Sequence, residues 1–256
     1  MNTHFQCTKC GNCCRKLKLP LSVAEAVAWL EDGNDVQVLC EAIPWPGELP
    51  ASNLVAAYKR ERSFAALSGS LPLRVIVTLV APLDDACPNL QDDLNCAIYE
   101  RRPNVCRTYP AEINPFLQLL PAQKLCPPEA WTPAAGSFHN EAGYIDPMLR
   151  RYIQSIRDSD VGDVSIKEAV CSRLRIDATA MANEGYVMHA PDRASLLAAL
   201  TDGAGLPLPD PKPWRFVSDR AETVGALVEA GSDCSLAADM DGSAVKYLSL
   251  FAGAAG

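Results

Sequence analysis

The sequence predicts an α+β protein with two dissimilar parts. Residues 1–135 are expected to form an irregular, metal-stabilised cysteine-cluster domain with few strands, and residues 136–256 a mostly helical C-terminal region. Three observations predict this: nine of the 11 cysteines occur by residue 126, proline is frequent between residues 87 and 133, and helix-start signals recur in the second half. A proline-rich, loop-like segment cannot bury enough apolar area to hold its shape, so a metal would supply the missing stability.

The first part contains two predicted helices separated by a loop. Ser22 and Glu25 form a capping-box pattern, in which Ser22 caps a helix that continues to about Glu31. Three prolines and a glycine predict a loop over residues 41–50. Apolar residues at helical spacing then predict a second helix over residues 52–67.

One stretch of the first part has strong strand character. Leu73 to Val80 read L-R-V-I-V-T-L-V, and β-branched residues of this kind favour strands. The predicted strand leads into the segment from Cys87 to Pro133, which contains eight prolines and four cysteines. That segment is expected to consist of short turns.

The second part carries repeated helix signals. Aspartate followed by proline is the favoured order at a helix start and predicts a helix over residues 146–158. A second capping box predicts a helix over residues 165–183. Residues 186–203 and 214–231 each read as a short strand, then Asp-Arg-Ala, then an apolar helix closed by glycine, which indicates either a duplicated strand–helix element or a coincidence of alanine-rich sequence.

Charge and hydropathy narrow the classes of partner. The net charge is −8, although the first 20 residues carry four basic and no acidic side chains. An acidic body argues against nucleic acid as the main partner. No apolar run reaches the roughly 18 residues of a membrane span. The first residues show no charged start followed by an apolar stretch, so a reducing cytoplasm is expected.

The first cysteines are too closely spaced to serve packing. They are Cys7, Cys10, Cys13 and Cys14. Gaps of two residues let neighbouring sulfurs converge on one centre, and thiolate is the ligand for zinc and for iron–sulfur clusters. An odd total of 11 cysteines does not suit a disulfide framework. Three isolated cysteines are expected to be small core residues instead: Cys40, Cys171 and Cys234.

A second cysteine block carries a resemblance to a known family. The spacing C-x2-C-x2-C-C from Cys7, together with C-A-I-Y-E-R-R-P-N-V-C-R-T-Y-P from Cys96 to Pro110, resembles the bacterial CxxCxxCC (YkgJ-type) cysteine-cluster family of zinc- or iron-chelating domains. The resemblance covers about residues 7–126. It implies metal ligation by eight cysteines: Cys7, Cys10, Cys13, Cys14, Cys87, Cys96, Cys106 and Cys126.

The arrangement of the metal stays open at this point. Adjacent side chains such as Cys13 and Cys14 diverge, so eight thiolates are most simply divided between two four-coordinate centres, with this pair split or bridging. A single [4Fe–4S] cluster held by three early cysteines and one distant cysteine is the other arrangement. Zinc or iron, in a mononuclear, dinuclear or iron–sulfur form, is the expected cofactor. Arg102 and Arg107 are expected to offset the thiolate charge and to donate hydrogen bonds to sulfur.

Two function classes follow from these ligands. A binding module would hold the metal in order to store it, sense it or pass it to a protein partner. An enzyme is the alternative, because one branch of similar proteins consists of flagellin lysine N-methylases. The chain shows no G-x-G turn after a strand for a methyl-donor cofactor and no HExxH motif. All-thiolate sites also tend to be structural, since hydrolytic zinc sites keep an open position.

Overall fold

The computed structural model describes residues 2–201, 213–240 and 244–251. The α-helices in these ranges are α1 (Val23–Glu31), α2 (Leu54–Glu61), α3 (Asn104–Thr108), α4 (Pro147–Gly162), α5 (Val164–Leu174), α6 (Arg193–Thr201) and α7 (Ala221–Glu229). The strands are β1 (Thr3–His4), β2 (Leu17–Leu21), β3 (Gln37–Pro44), β4 (Phe64–Ser68), β5 (Leu71–Leu83), β6 (Ser137–Asn140), β7 (Gly143–Tyr144), β8 (Ala178–Met181), β9 (Gly185–His189), β10 (Arg215–Ser218), β11 (Cys234–Leu236) and β12 (Val245–Ser249). No helix in this part of the chain is both long and apolar enough to cross a membrane.

The predicted fold class is wrong. The protein is mixed α/β, with seven helices and a nine-stranded sheet within the described residues, and five strands follow residue 177 where a mostly helical region was expected. The clearest error is β8, which lies inside the helix predicted over residues 165–183. Its sequence A-T-A-M contains good helix formers. Pairing with β10 on one side and β3 on the other overrides that propensity.

Two compact units divide the chain. The cysteine unit consists of Met1–Leu21 and Ala81–Ser159, and the sheet unit consists of Ser22–Val80 and Asp160–Gly256. Each unit therefore combines two separate stretches of the chain. The division predicted from the sequence, into residues 1–135 and 136–256, instead assigns one continuous stretch to each part.

The large sheet mixes parallel and antiparallel pairs. Its main order is β11-β10-β8-β3-β5-β2, and β4 pairs with β5 while β12 pairs with β9. Strands β8, β10 and β11 run parallel, whereas β3 and β5 form a long antiparallel pair over eight residues of β3. One edge of β3 is shared, because β9 pairs with its first half and β8 with its second.

The alternation of β5 explains why this stretch is a strand. Leu73, Val75, Val77 and Leu79 are buried, and the residues between them are half-buried. This period of two places these four apolar residues on one face of the sheet. On β3 the same face carries the fully buried side chain of Cys40. The prediction of a strand at residues 73–80 is confirmed, although the strand extends further at both ends.

Local signals predicted helix starts better than helix ends. The capping box of α1 is confirmed, since the Ser22 N–H donates to the Glu25 carboxylate at 2.9 Å and the Glu25 N–H donates to Ser22 Oγ at 3.3 Å. The helix predicted over residues 52–67 ends at Glu61, and β4 takes up the last four predicted positions. The predicted loop at 41–50 overlaps β3, where proline is tolerated at the last position of the strand.

The core of the sheet unit can be tested at β10. Phe216 is 0% exposed, so Phe216→Ala is expected to lower the free energy of unfolding by about 3–5 kcal/mol through lost burial and a cavity. Val228→Ala on α7 is the control, because Val228 is 53% exposed. Urea unfolding followed by circular dichroism measures both variants. Equal losses in the two variants would contradict the burial seen at Phe216.

Candidate metal centre

The residues between β1 and Cys7 are held in place before the first cysteine run begins. Phe5 packs its ring against Trp131 and Phe138, with centroids 4.8 and 5.1 Å apart. The Gln6 N–H donates to the Ala130 carbonyl at 2.9 Å. Because aromatic packing and backbone hydrogen bonds precede Cys7 directly, the run enters the site at a defined position.

Left-handed backbone shapes the turn between the early cysteines. Lys9 and Gly11 have φ values of 55° and 73°, and a short 3-10 helix then covers Asn12–Cys14. The Lys9 N–H donates to Cys7 Sγ at 3.4 Å, which is the kind of backbone bond to sulfur expected in such a turn. The Cys14 N–H donates to the Gly11 carbonyl at 3.0 Å and closes the turn.

A backbone hydrogen bond joins the two cysteine blocks. The Cys87 N–H donates to the Cys14 carbonyl at 2.7 Å. The chain then folds back on itself, because Leu90 and Cys96 form an antiparallel bridge and the Leu90 N–H donates to the Cys87 carbonyl at 3.0 Å. These bonds bring Cys14, Cys87 and Cys96 into one region of the cysteine unit.

Cys106 and Cys126 are positioned by other segments of the chain. Cys106 lies on α3, and its N–H donates to the Pro103 carbonyl at 3.0 Å. Cys126 follows Leu125, whose N–H donates to Tyr109 Oη at 2.7 Å and whose carbonyl accepts from Asn12 Nδ2 at 3.0 Å. Side chains from both cysteine blocks therefore hold the residue before Cys126.

A hydrogen bond between Cys13 and Cys14 shifts the pKa values of the two thiols in opposite directions. The pKa of Cys14 falls to about 7, first because it accepts a hydrogen bond from Cys13, with Arg15 and Arg102 adding favourable charge. The same bond raises the pKa of Cys13 well above its usual value, as do burial and the nearby thiolates. This is the response expected of two ionisable groups in contact.

Four of the thiols are electrostatic neighbours around Cys14. Burial raises the pKa of Cys106 to about 12, and nearby Cys14, Cys87 and Cys96 add to the increase. Burial also raises the pKa of Cys87, with Cys14 and Cys96 again contributing. We call these four residues the inner quartet: Cys14, Cys87, Cys96 and Cys106.

Two of the other thiols, Cys10 and Cys7, are neighbours of Cys126. Burial raises the pKa of Cys126 to about 11, and Cys10 and Cys7 raise it further. Cys14 has the largest effect on the pKa of Cys13, followed by Cys106 and Cys7, while Cys13, Cys10 and Cys126 all lie near Tyr109. We call these four residues the outer quartet: Cys7, Cys10, Cys13 and Cys126. Cys7 is exposed, whereas the other seven cysteines of the two quartets are half-buried.

The donor set fits zinc or iron by its chemistry. Thiolate sulfur is the preferred ligand of structural zinc and of iron–sulfur centres. Among the residues that the structure describes, no three Cys, His, Asp or Glu side chains are grouped closely enough to hold an ion as they stand. Binding would therefore require the sulfur atoms of each quartet to draw closer together.

The two predicted arginines occupy different positions. Arg102 lies near enough to Cys14 and Cys106 to lower the pKa of both, and its guanidinium stacks 3.9 Å from the Tyr99 ring centroid. Arg107 donates to the carbonyls of Arg102 and Glu100. Arg107 therefore braces the backbone between Cys96 and Cys106. Hydrogen bonds from either arginine to sulfur stay a prediction.

The three isolated cysteines lie in the sheet unit. Cys40 and Cys171 are buried and hydrogen-bonded to each other, so the expectation that they are core residues is confirmed. Cys234 is half-buried on β11.

Sequence reasoning missed Asn12 and Tyr109 as supports of the site, although both lie within the cysteine motifs.

A family comparison agrees with this part of the structure. Residues 6–127 match the model of a family described as "CxxCxxCC: Putative zinc- or iron-chelating domain". This part of the chain, just under half of it, is similar to the CxxCxxCC family. All eight cysteines of the two quartets fall inside the matched range. No curated protein and no solved structure matches the chain significantly. The chain thus carries a domain of a zinc- or iron-chelating family, and the predicted family resemblance is confirmed.

The turn at Gly11 gives a test of the CxxCxxCC domain. Gly11 has a left-handed backbone conformation, and a Cβ added there would lie 3.4 Å from Leu94 Cδ2. Gly11→Ala is therefore expected to lower the free energy of unfolding by about 1–2 kcal/mol. If that strain falls on the metal-bound turn, apparent zinc affinity drops about 5- to 30-fold. Gly136→Ala is the matched control, because nothing lies within 4 Å of its added Cβ. Competition with a chromogenic chelator measures the affinity, and identical affinities would contradict the role of the turn.

Proposed function

We propose that the CxxCxxCC domain holds two metal ions, each in a four-thiolate centre formed by one quartet. The observation that carries the proposal is the pattern of neighbours among the eight thiols. The Cys14 carbonyl accepts a hydrogen bond from the Cys87 N–H, whereas Asn12, between Cys10 and Cys13, donates to the carbonyl of Leu125 next to Cys126. The adjacent pair Cys13 and Cys14 belongs to both patterns and supports a division between the two centres.

The charge of the thiolates favours a bound metal ion among them. Burial raises the pKa of Cys87, Cys106 and Cys126, and neighbouring thiols raise it further, because an added thiolate is repelled by those around it. A bound divalent cation removes this obstacle, since it deprotonates a coordinating thiol. Four thiolates around one such ion leave a net charge of about −2, which Arg15 and Arg102 beside Cys14 partly offset.

The ligand type favours holding a metal over hydrolysis. A four-thiolate site fills the tetrahedral positions of zinc and leaves none open for water. Between residues 87 and 133 the described backbone forms one five-residue α-helix and short 3-10 turns. A metal would stabilise such a segment, and it would also be available for storage, sensing or transfer to a protein partner. A reducing cytoplasm, where thiols stay free, suits this role.

The metal content of the purified protein tests the proposal. After anaerobic purification we expect about two zinc or iron ions per chain, one for each set of four thiolates. Cys10→Ser and Cys106→Ser should each remove about one ion, because each variant breaks a different quartet. Cys234→Ser is the control, since Cys234 lies on β11 of the sheet unit. Elemental analysis gives the stoichiometry, and absorption spectra separate colourless zinc from coloured iron.

Two outcomes would contradict the proposal. The number of ligands predicts two ions per chain, so a content below about 0.3 ion per chain would show that the domain holds no metal. A single centre with about four irons and matching sulfide would replace the two centres with one [4Fe–4S] cluster. In that case serine at one quartet would abolish the whole absorption, whereas serine at the other would leave it intact.

Metal removal provides a separate test of the stabilising role. Chelation is expected to increase amide hydrogen exchange in residues 7–14 and 87–126, because binding energy at these sites is folding energy. Exchange at β3 should change little, since all of its residues belong to the sheet unit. Hydrogen exchange with mass spectrometry resolves the two regions. Unchanged exchange at residues 87–126 would show that the metal does not support this segment.

A further inference from the structure

We infer that Asn12 and Tyr109 are positioning residues that clamp the backbone of Leu125 and so hold Cys126 beside the first cysteine run. The clamp consists of two hydrogen bonds, one from the Leu125 N–H and one to the Leu125 carbonyl. Its importance for metal binding rests on the proposed function, in which Cys126 is a ligand. The two hydrogen bonds themselves involve no metal.

The side chain of Leu125 contributes little to holding this part of the chain. Leu125 is 43% exposed, and an apolar side chain that remains in water gains little from burial. Cys126 lies between two short 3-10 turns, Pro121–Gln123 and Pro128–Trp131. The position of Cys126 therefore depends on hydrogen bonds to the backbone beside it.

Tyr109 reaches the Leu125 N–H from the segment that carries Cys106. Tyr109 is the C-cap residue of α3, and its N–H donates to the Val105 carbonyl at 3.0 Å. The Leu125 N–H donates to Tyr109 Oη at 2.7 Å. A side chain that starts from the end of a helix thus fixes the amide group that precedes Cys126.

Asn12 holds the other side of Leu125 from within the first cysteine run. It is the first residue of the 3-10 helix Asn12–Cys14, and its Nδ2 donates to the Leu125 carbonyl at 3.0 Å. Leu125 is therefore the point at which three cysteine-bearing segments meet: the first run, the end of α3 and the residues around Cys126.

A largely buried ion pair fixes the residue before Leu125. Lys124 Nζ lies 2.5 Å from Glu112 Oε1, and the two side chains are 14% and 21% exposed. The same Nζ lies 5.9 Å from the centroid of the Tyr109 ring. Tyr109 thus contacts this segment through its ring as well as through its hydroxyl.

The clamp determines how Cys126 is placed relative to the thiols of the first run. Cys10, Cys13 and Cys126 all lie near Tyr109. Loss of either hydrogen bond would leave the backbone beside Cys126 freer to move away from the other two thiols. Tyr109 and Asn12 therefore act on the site through Cys126.

Alkylation of single thiols tests the clamp in the full chain, after metal removal by a chelator under reducing conditions. Tyr109→Phe keeps the ring and removes the acceptor of the Leu125 N–H. Cys126 is half-buried, so its rate of alkylation by iodoacetamide is expected to rise about 2- to 10-fold, equivalent to one hydrogen bond. Asn12→Ala should have a similar effect through the Leu125 carbonyl. Peptide mass spectrometry gives the rate for each cysteine.

Two controls separate release of Cys126 from general loosening of the cysteine unit. Tyr99→Phe removes the hydroxyl of another tyrosine, whose ring stacks on Arg102, and should leave the rate at Cys126 unchanged. Cys87 reports on the rest of the unit, because its N–H is bonded to the Cys14 carbonyl. The rate at Cys87 should stay constant in every variant.

Zinc affinity connects the clamp to the proposed function. If Cys126 is a ligand, Tyr109→Phe should weaken zinc binding, measured by competition with a chromogenic chelator. The same substitution should have no further effect in a Cys126→Ser background, because the clamp acts through that thiol.

The outcomes distinguish the clamp from the function that it would serve. Unchanged alkylation of Cys126 in both clamp variants would overturn the inference, and so would an equal increase at Cys87 and Cys126. Selective release of Cys126 with unchanged zinc affinity would support the clamp and contradict the role of Cys126 as a ligand. Asn12 is exposed, so Asn12→Ala decides the question if Tyr109→Phe fails to fold.

Discussion

Burial of thiol groups beside one another is the constraint on which the cysteine unit depends. Burial raises the pKa of Cys87, Cys106 and Cys126, and repulsion from neighbouring thiolates raises it further. Without a cation, these three groups keep their protons at neutral pH. The structure therefore gathers ligands whose ionisation and whose close approach both require a positive charge between them.

Short-range hydrogen bonds position these ligands where a hydrophobic core cannot. Two residues show this most clearly: Cys14, whose carbonyl accepts from Cys87, and Leu125, whose N–H and carbonyl are both held by side chains. In the sheet unit, by contrast, β3 and β5 are held by an apolar face that is almost completely buried. The cysteine unit has a smaller apolar cluster around Leu149 and Ile153 and relies on these hydrogen bonds in addition, so loss of metal should affect the two units unequally.

Local chemistry in the sequence predicted local structure well. The capping box at Ser22 and Glu25 and the β-branched stretch of β5 both depend on residues close together in the sequence. Strand pairing depends on partners far along the chain, so part of β3 was predicted as a loop because of its prolines, and β8 as part of the helix that the second capping box indicates. The same limit applied to the site. Spacing identified the cysteines, but only the fold shows Arg107 bracing a backbone while Arg102 lies beside the thiols.

The discontinuous path of the cysteine unit has a consequence for protein synthesis. Its first segment ends at Leu21, and its second begins at Ala81 after the chain has passed through the sheet unit. At translation rates of about 5–20 residues per second, roughly 5–20 s separate the synthesis of Cys14 from that of Cys126. During this interval the early thiols lack their later partners and are open to oxidation or to unintended metals. Newly made chains would therefore benefit from a reducing environment and from metal delivery timed to the end of the second segment.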